Sequence, residues 1–173
     1  MAKKRKESII LFGEGKTEAI FLNHLKKVTA AHLRVKIKVD KGQGKSPQDI
    51  ADRLVNKHLK NANYDRSLLL IDSDVAHGIT PAFLKKNSIS LVQSSPKCLE
   101  GLLLQLIGKS PKGAVNSNSK QLKSAFQSVI NANDSNYTLK LMESCPKLFP
   151  LELIESKRKS IPELNDILNF LGV

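Results

Sequence analysis

The sequence predicts an α/β protein in which a parallel sheet of about four strands is flanked by helices. Two largely apolar runs, at 8–12 and 67–71, are typical of strands that are covered on both faces. Each run is followed by a segment with helix-type signals, and a further strand–helix pair lies between the two. Strands that alternate with helices through short connections pair in parallel with right-handed crossovers, so this order of elements favours the fold class.

The first two strands are each followed by a helix with recognisable start signals. Residues 8–12 form the first strand, and Thr17 caps a helix whose apolar residues recur at helical spacing. Alternation of apolar and basic residues over 35–39 predicts a second strand with one solvent-facing side, as at a sheet edge. Ser46 then caps a helix, because a proline in the first turn and an acid three residues after the cap follow it.

The remaining elements follow the same criteria and become entirely helical towards the C-terminus. We expect a third strand at 67–71 and a short helix that begins at Thr80. A fourth strand follows at 89–93, and a helix that is apolar on nearly all sides follows at 99–107. Further helices are expected at 121–131, 139–143 and 162–171. We expect Ser160 and Glu163 to form a capping box at the start of the last helix.

The length of 173 residues fits one globular domain. We interpret residues 1–107 as an α/β core that begins with a basic arm at 1–7, and residues 108–173 as a helical C-terminal extension of the same domain. Only two cysteines are present, which excludes a disulfide scaffold, and no apolar run is long enough for a membrane span. We therefore expect a cytoplasmic protein with no membrane partner.

The charge balance points to a polyanionic partner. The chain carries 28 Lys and Arg against 16 Asp and Glu, a formal net charge of +12 at pH 7. A field of that sign attracts DNA or RNA, although a basic surface also keeps many proteins in solution. Aromatic residues make up only 5% of the chain, so a platform that stacks single-stranded bases is poorly supported.

Acidic side chains follow three of the four predicted strands. Glu14 comes after the first strand, Asp72 and Asp74 after the third, and Glu100 soon after the fourth. The carboxyl ends of parallel strands meet at one edge of the sheet, where α/β proteins bind their ligands. Clustered carboxylates favour hard divalent ions, so this pattern predicts a Mg²⁺ or Mn²⁺ site. The alternative is that the aspartates cap the following turn and Glu100 complements a helix dipole.

Two segments resemble the end of a phosphate-binding P-loop but lack its first glycine. They are Gly15-Lys16-Thr17 and Gly44-Lys45-Ser46, and the position five residues before each Gly-Lys pair holds Ile10 or Val39. Neither segment is a P-loop. Lys16 and Lys45 remain candidate phosphate contacts as point charges beside helix N-termini, and Lys97 is a third candidate.

Three motifs taken in order resemble the Toprim domain, the metal-binding catalytic fold of topoisomerases, DnaG-type primases and OLD-family nucleases. They are an apolar strand followed by Gly13-Glu14-Gly15-x-Thr17-Glu18, then Ile71-Asp72-Ser73-Asp74, then Ser95-Pro96-x-Cys98-Leu99-Glu100 with the leucines that follow. The first and last motifs resemble more narrowly the RloB-like family, Toprim-related proteins associated with restriction loci and phage defence. The similarity covers residues 8 to about 107.

The resemblance implies a role for each of the four acids. Glu14 would match a glutamate that acts as general acid or base or joins a metal. Asp72 and Asp74 would match the metal ligands of an Asp-x-Asp motif, and Glu100 the acid of a later Asn-Pro-x-x-Glu-like segment. The chain departs from that segment in four places, where Ser95 replaces Asn, Leu99 replaces an aromatic residue, Gly101 stands for a larger residue and Gln105 lies near the usual position of a His.

The function predicted on this basis is a Mg²⁺- or Mn²⁺-dependent nuclease with a Toprim-like, Rossmann-like core, acting in phage defence or a restriction-linked system. Asp72, Asp74 and Glu100 would hold metal, Glu14 would orient or deprotonate the attacking water or join a second ion, and an ATPase is a candidate partner. Two alternatives remain open. One is a non-catalytic module that binds nucleic acid or a partner through its basic surface, and the other is a nucleotide-binding sensor.

Overall fold

The computed structural model describes residues 7–32, 35–43, 46–61, 64–111 and 113–173. The basic arm predicted at 1–7 therefore lies outside the described residues except for Glu7, and the candidate phosphate contact Lys45 lies outside them as well. Within the described residues, no helix is both long enough and apolar enough to cross a membrane.

The described residues form four strands and eight α-helices, with two short 3₁₀ segments at Ala30–His32 and Ala114–Asn116 and a π-helical segment at Val55–Leu59. The strands are β1 (Ser8–Gly13), β2 (Lys36–Lys41), β3 (Arg66–Asp72) and β4 (Ile89–Ser94). The helices are α1 (Lys16–Val28), α2 (Pro47–Leu54), α3 (Pro81–Lys86), α4 (Leu99–Leu106), α5 (Ser119–Val129), α6 (Tyr137–Leu148), α7 (Leu151–Lys157) and α8 (Pro162–Leu171). All four strands lie within two residues of the predicted positions.

The strands form one parallel sheet in the order β2-β1-β3-β4. The predicted parallel α/β sheet is therefore confirmed, and β2 lies at an edge as its alternating pattern indicates. From β1 the chain first adds β2 on one side and later adds β3 on the other, so the strand order reverses between β1 and β3. Ligands of open α/β sheets bind at the carboxyl ends of the strands on either side of such a reversal.

Both faces of the sheet are buried by helices. On one face, Ile10 and Phe12 of β1 pack with buried residues of α2. On the other face, Ile9 and Leu11 belong to a larger apolar core that includes buried residues of α1, α4 and all four C-terminal helices. Alternate residues of a strand point to opposite faces, which is why a continuous apolar run such as that of β1 requires cover on both.

The predicted N-terminal cap is confirmed for α2 but not for α8. The Ser46 hydroxyl accepts a hydrogen bond of 3.2 Å from the Asp49 backbone N–H, so the predicted cap of α2 is confirmed. The predicted capping box of Ser160 and Glu163 is wrong, because Ile161 precedes α8 and no side chain caps it. Pro162 already occupies the first turn of α8, where it removes one backbone N–H that a cap would otherwise satisfy.

The C-terminal helices are more extensive than the sequence pattern predicts. The helix expected at 139–143 spans Tyr137–Leu148 and continues through Pro146, and α7 has no counterpart among the predicted elements. Proline removes one helical N–H, but the next turn still closes, since the Phe149 N–H donates to the Cys145 carbonyl at 3.0 Å. Burial of Leu141, Cys145 and Phe149 in the larger core offsets the lost bond.

Candidate functional site

Glu14 joins the two strands between which the strand order reverses. Its backbone N–H donates to the Leu70 carbonyl at 2.9 Å, and its carboxylate oxygen Oε2 accepts from the Asp72 backbone N–H at 2.9 Å. Glu14 therefore lies where the sequence predicts a site, at the carboxyl ends of β1 and β3.

Asp72 is an acid of the site whose pKa is strongly raised. It ends β3, is half-buried, and accepts at Oδ1 from the Ser94 hydroxyl at 2.8 Å and from the Leu99 N–H at 2.9 Å. Burial raises the pKa of Asp72 to about 7, and the negative charges of Glu18, Glu14 and Glu100 add to this effect, whereas the bond from Ser94 opposes it. A pKa near 7 means that the positive charge around this buried carboxyl group is not sufficient to stabilise its ionised form.

Glu18 belongs to the same cluster, although the prediction did not include it among the site residues. It lies in the first turn of α1 and is only 5% exposed. Its carboxylate accepts from the Gly15 N–H at 2.7 Å and from the Thr17 hydroxyl at 2.8 Å. Burial raises the pKa of Glu18, and the charge of Glu100 contributes. An added Cβ at Gly13 would lie 2.6 Å from the Glu18 Cβ, so only glycine allows α1 to begin this close to β1.

Glu100 reaches the cluster from the first turn of α4 and is 6% exposed. Its Oε1 accepts a hydrogen bond of 2.7 Å from the hydroxyl of Tyr137, the first residue of α6. Cys98 lies beside Glu100 and is buried, as the sequence analysis expects. Burial and the Glu100 charge raise the pKa of the Cys98 thiol, so it is not a poised nucleophile.

Gly101 explains one departure from the Toprim-like segment. A Cβ at this position would collide with the backbone carbonyl oxygen of Pro96, so α4 and the 95–98 turn approach too closely for any larger residue. The same turn is tied to the end of β3, because the Ser73 N–H donates to the Lys97 carbonyl at 3.0 Å. The glycine therefore sets the position of the turn that carries Lys97 and Cys98.

Three of these acids line a cavity of about 610 Å³. We call the three, Glu18, Asp72 and Glu100, the acidic wall. Much of the remaining lining belongs to α5, which contributes two lysines, Lys120 and Lys123, which we call the lysine wall. The other lining residues are Thr17, Cys98, Ser119, Ser124, Gln127 and Asp134. Negative and positive side chains thus line the same open cavity.

Among the described residues, the other predicted site residues, Glu14, Asp74, Lys16 and Lys97, do not line the cavity. Asp74 is exposed, and its carboxylate accepts a hydrogen bond from the hydroxyl of Ser119, which does line the cavity. Lys16 and Lys97 are exposed and are not among its lining residues. The lysine wall was absent from the prediction, because nothing in the local pattern of 119–127 indicates that α5 faces the acids.

The donor chemistry of the acidic wall fits a hard divalent ion. Its side chains offer carboxylate oxygens only, and none of its members forms an ion pair with a cation among the described residues. Burial raises the pKa of Asp72 first and the neighbouring acids raise it further, and a divalent cation would offset both effects. Across the described ranges, no three acidic, histidine or cysteine side chains are grouped closely enough to hold a metal ion.

Comparisons with known proteins support the fold. No family model matches the sequence, and no curated protein matches it. Among solved structures, the chain is similar to the C-terminal region of the Burkholderia pseudomallei OLD protein, with 13% identity and a TM-score of 0.50. The alignment covers 97% of this chain and 98% of the other. The Toprim-like α/β fold is therefore confirmed, while the narrower resemblance to the RloB-like family stays a prediction.

Proposed function

We propose that this protein is a Mg²⁺- or Mn²⁺-dependent nuclease that cleaves phosphodiester bonds of DNA or RNA. The observation that carries the proposal is the cavity at the reversal of strand order, whose lining includes both carboxylates and lysines. Phosphodiester hydrolysis needs both features, one to hold a divalent ion and one to neutralise the phosphate. The similarity of the fold to the C-terminal region of an OLD protein is consistent with this proposal.

The acidic wall is the proposed metal-binding side. Asp72, Glu100 and Glu18 would hold a divalent ion, and Asp74 would join them from the edge of the cavity through its position beside Ser119. A bound ion of this kind polarises the phosphate and supplies a hydroxide near neutral pH. Glu14 fixes the ends of β1 and β3 relative to each other and is the candidate to orient the attacking water.

The lysine wall is the proposed phosphate-binding side. Lys120 and Lys123 project from α5 into the cavity, where each would neutralise part of the charge on a bound phosphodiester. Lys16, Lys45 and Lys97 remain proposed contacts for the flanking backbone of the polymer. The formal net charge of +12 favours the approach of any such polymer. An ATPase partner and a role in phage defence or a restriction-linked system are part of the same proposal.

The decisive experiment compares cleavage by the unchanged chain with that by Asp72→Asn and Glu100→Gln. We expect Mg²⁺- or Mn²⁺-dependent cleavage of labelled single- or double-stranded DNA or RNA. Each substitution should reduce the rate by at least about 10³-fold, because it removes a charged oxygen ligand while keeping the shape of the side chain. Cleavage that needs no divalent ion, or that is unchanged in both variants, would contradict the proposal.

Asp52→Asn is the matched control for this experiment. Asp52 lies in α2, where its carboxylate accepts a bond of 3.2 Å from Gln48. Its substitution makes the same change in net charge as Asp72→Asn but leaves the cavity intact. We therefore expect the control variant to cleave at the rate of the unchanged chain.

A separate prediction concerns the lysine wall. Replacing Lys120 and Lys123 together by alanine should weaken binding to duplex DNA and flatten the plot of log K against log salt by about 2, because each lysine that neutralises a phosphate adds roughly one to the slope. Titration at several salt concentrations measures this slope. The matched control replaces Lys85 and Lys86, two exposed lysines at the end of α3. An equal effect of both pairs would show that binding depends on overall charge rather than on the cavity.

A further inference from the structure

Tyr137 brings a buried hydroxyl to the acidic wall from the C-terminal part of the chain. It is the first residue of α6, is 4% exposed, and donates a hydrogen bond of 2.7 Å to Glu100 Oε1. Glu100 is itself 6% exposed and lies 37 positions earlier in the chain. A buried phenol and a buried carboxylate each need a hydrogen-bond partner, and here each group is the partner of the other.

The ring of Tyr137 also contacts the lysine wall. The Lys123 ammonium nitrogen lies 5.4 Å from the centroid of the ring, within the range of a cation–π contact. Tyr137 therefore contacts one member of the acidic wall through its hydroxyl and one member of the lysine wall through its ring. Packing in the apolar core accounts for the ring but not for the hydroxyl, because phenylalanine would fill the same volume.

We propose that Tyr137 is a positioning residue whose hydroxyl holds the Glu100 carboxylate in the orientation that binds a divalent ion. The bond commits Oε1 and fixes the plane of the carboxylate, so an ion that enters the cavity meets Glu100 in one arrangement. Groups that orient a metal ligand in this way contribute about 10- to 100-fold to metal affinity. The inference rests on the proposed function, since it assigns Glu100 to metal.

The test measures Mn²⁺ affinity by calorimetric titration of the whole chain and does not depend on cleavage. Tyr137→Phe removes the hydroxyl and keeps the ring beside Lys123, and we expect its Mn²⁺ affinity to be about tenfold weaker. The chain contains only two tyrosines, so Tyr64→Phe is the matched control. Tyr64 packs against His58 on the other side of the sheet, and its substitution should leave Mn²⁺ affinity unchanged.

A double substitution tests whether the effect passes through Glu100. In a Glu100→Gln background, Tyr137→Phe should cause no further loss of Mn²⁺ affinity, because the carboxylate that the hydroxyl orients is already absent. A tenfold loss in both backgrounds would overturn the inference and make Tyr137 a purely structural residue. Equal Mn²⁺ affinity of Tyr137→Phe and Tyr64→Phe would overturn it as well.

A spectroscopic measurement keeps the native Tyr137. The sequence contains no tryptophan, so in a Tyr64→Phe chain Tyr137 is the sole residue able to sensitise the luminescence of bound Tb³⁺, an ion that binds carboxylates. We expect tyrosine-sensitised emission that Mn²⁺ suppresses and that requires a higher Tb³⁺ concentration in Glu100→Gln. An unchanged Tb³⁺ titration in Glu100→Gln would contradict the inference. If the unchanged chain binds neither Mn²⁺ nor Tb³⁺, both this inference and the proposed function are wrong. If metal binding needs Glu100 but not Tyr137, only the positioning role of Tyr137 is wrong.

Discussion

Replacing Asp72 by asparagine is expected to stabilise the metal-free protein at pH 7, although the same change removes the proposed activity. The pKa of Asp72 is about 7 in the folded chain, against an ordinary value of 3.8. The unfolded chain therefore releases this proton near pH 4, and the folded chain retains it until near pH 7. Asparagine keeps an oxygen that accepts from Ser94 and Leu99, but it carries no charge to desolvate.

The direction of the pH dependence follows from proton binding. Between about pH 4 and pH 7 the folded state binds more protons than the unfolded state, so the free energy of unfolding falls as the pH rises through this interval. A shift of about three pKa units corresponds to at most about 4 kcal/mol. Asp72 is half-buried and its acidic neighbours share the proton, so we expect about 1–2 kcal/mol, or about 3–6 °C in the thermal midpoint.

Calorimetric unfolding of both chains at pH 3.5 and pH 7, in the presence of a chelator, measures this effect. The difference between the midpoints should be smallest at pH 3.5 and largest at pH 7, with Asp72→Asn the more stable. Mg²⁺ should then raise the midpoint of the unchanged chain alone, because a ligand that binds only the folded state stabilises it. A lower midpoint for Asp72→Asn at pH 7 without metal would show that the acidic wall is not electrostatically strained.

The second large effect is expected at Gly101, where alanine should destabilise the fold by about 3 kcal/mol or more. Alanine at an open helical position normally stabilises a helix by up to about 1 kcal/mol relative to glycine. At Gly101 the sign reverses, because the added Cβ collides with the Pro96 carbonyl oxygen, a backbone atom that cannot rotate away. Either α4 or the 95–98 turn must then shift.

Such a shift would also change the site. The turn holds the end of β3 through the bond from Ser73 to Lys97, and the first turn of α4 donates to Asp72 through Leu99. We therefore expect Gly101→Ala to lower both the thermal midpoint and the Mn²⁺ affinity. Thermal unfolding and calorimetric titration of the same preparation measure the two losses.

Gly108→Ala is the matched control for Gly101→Ala, since both glycines lie on or just after α4. Gly108 has φ of 68° and nothing within 4 Å of an added Cβ, so alanine there should cost only about 1–2 kcal/mol of backbone strain. Gly101 is not among the residues with positive φ, so its expected cost is purely steric. Equal costs at both positions would contradict the close approach of α4 to Pro96.

Local sequence signals predict the sheet well. A continuous apolar run, as in β1 and β3, indicates a strand with helices on both faces, and an alternating run, as in β2, indicates an edge strand. The observed strand order places β1 and β3 in the interior of the sheet and β2 at its edge, as these patterns predict. The cap at Ser46 is equally local, because its bond to Asp49 spans one helical turn. Patterns of this kind are sufficient to predict that Glu14 and Asp72 lie at the carboxyl edge of the sheet.

Contacts between distant parts of the chain account for what the sequence could not predict. Glu18 lies in a helix rather than directly after a strand, and the bond from Tyr137 to Glu100 spans 37 positions. Lys120 and Lys123 become part of the site only because α5 packs against α4. The continuation of α6 through Pro146 likewise depends on burial in the core rather than on helix propensity.

The two walls of the cavity belong to different stretches of the polypeptide, and this separation has an evolutionary consequence. The acids lie on the sheet and its adjoining helices, where a substitution disturbs strand pairing and tightly packed turns. The outward residues of α5 carry no such constraint, since only Leu122 and Phe126 of that helix are buried. Under the proposed function, descendants of this chain can therefore acquire new polymer preferences by altering one amphipathic helix, while the acids proposed to hold metal are inherited intact.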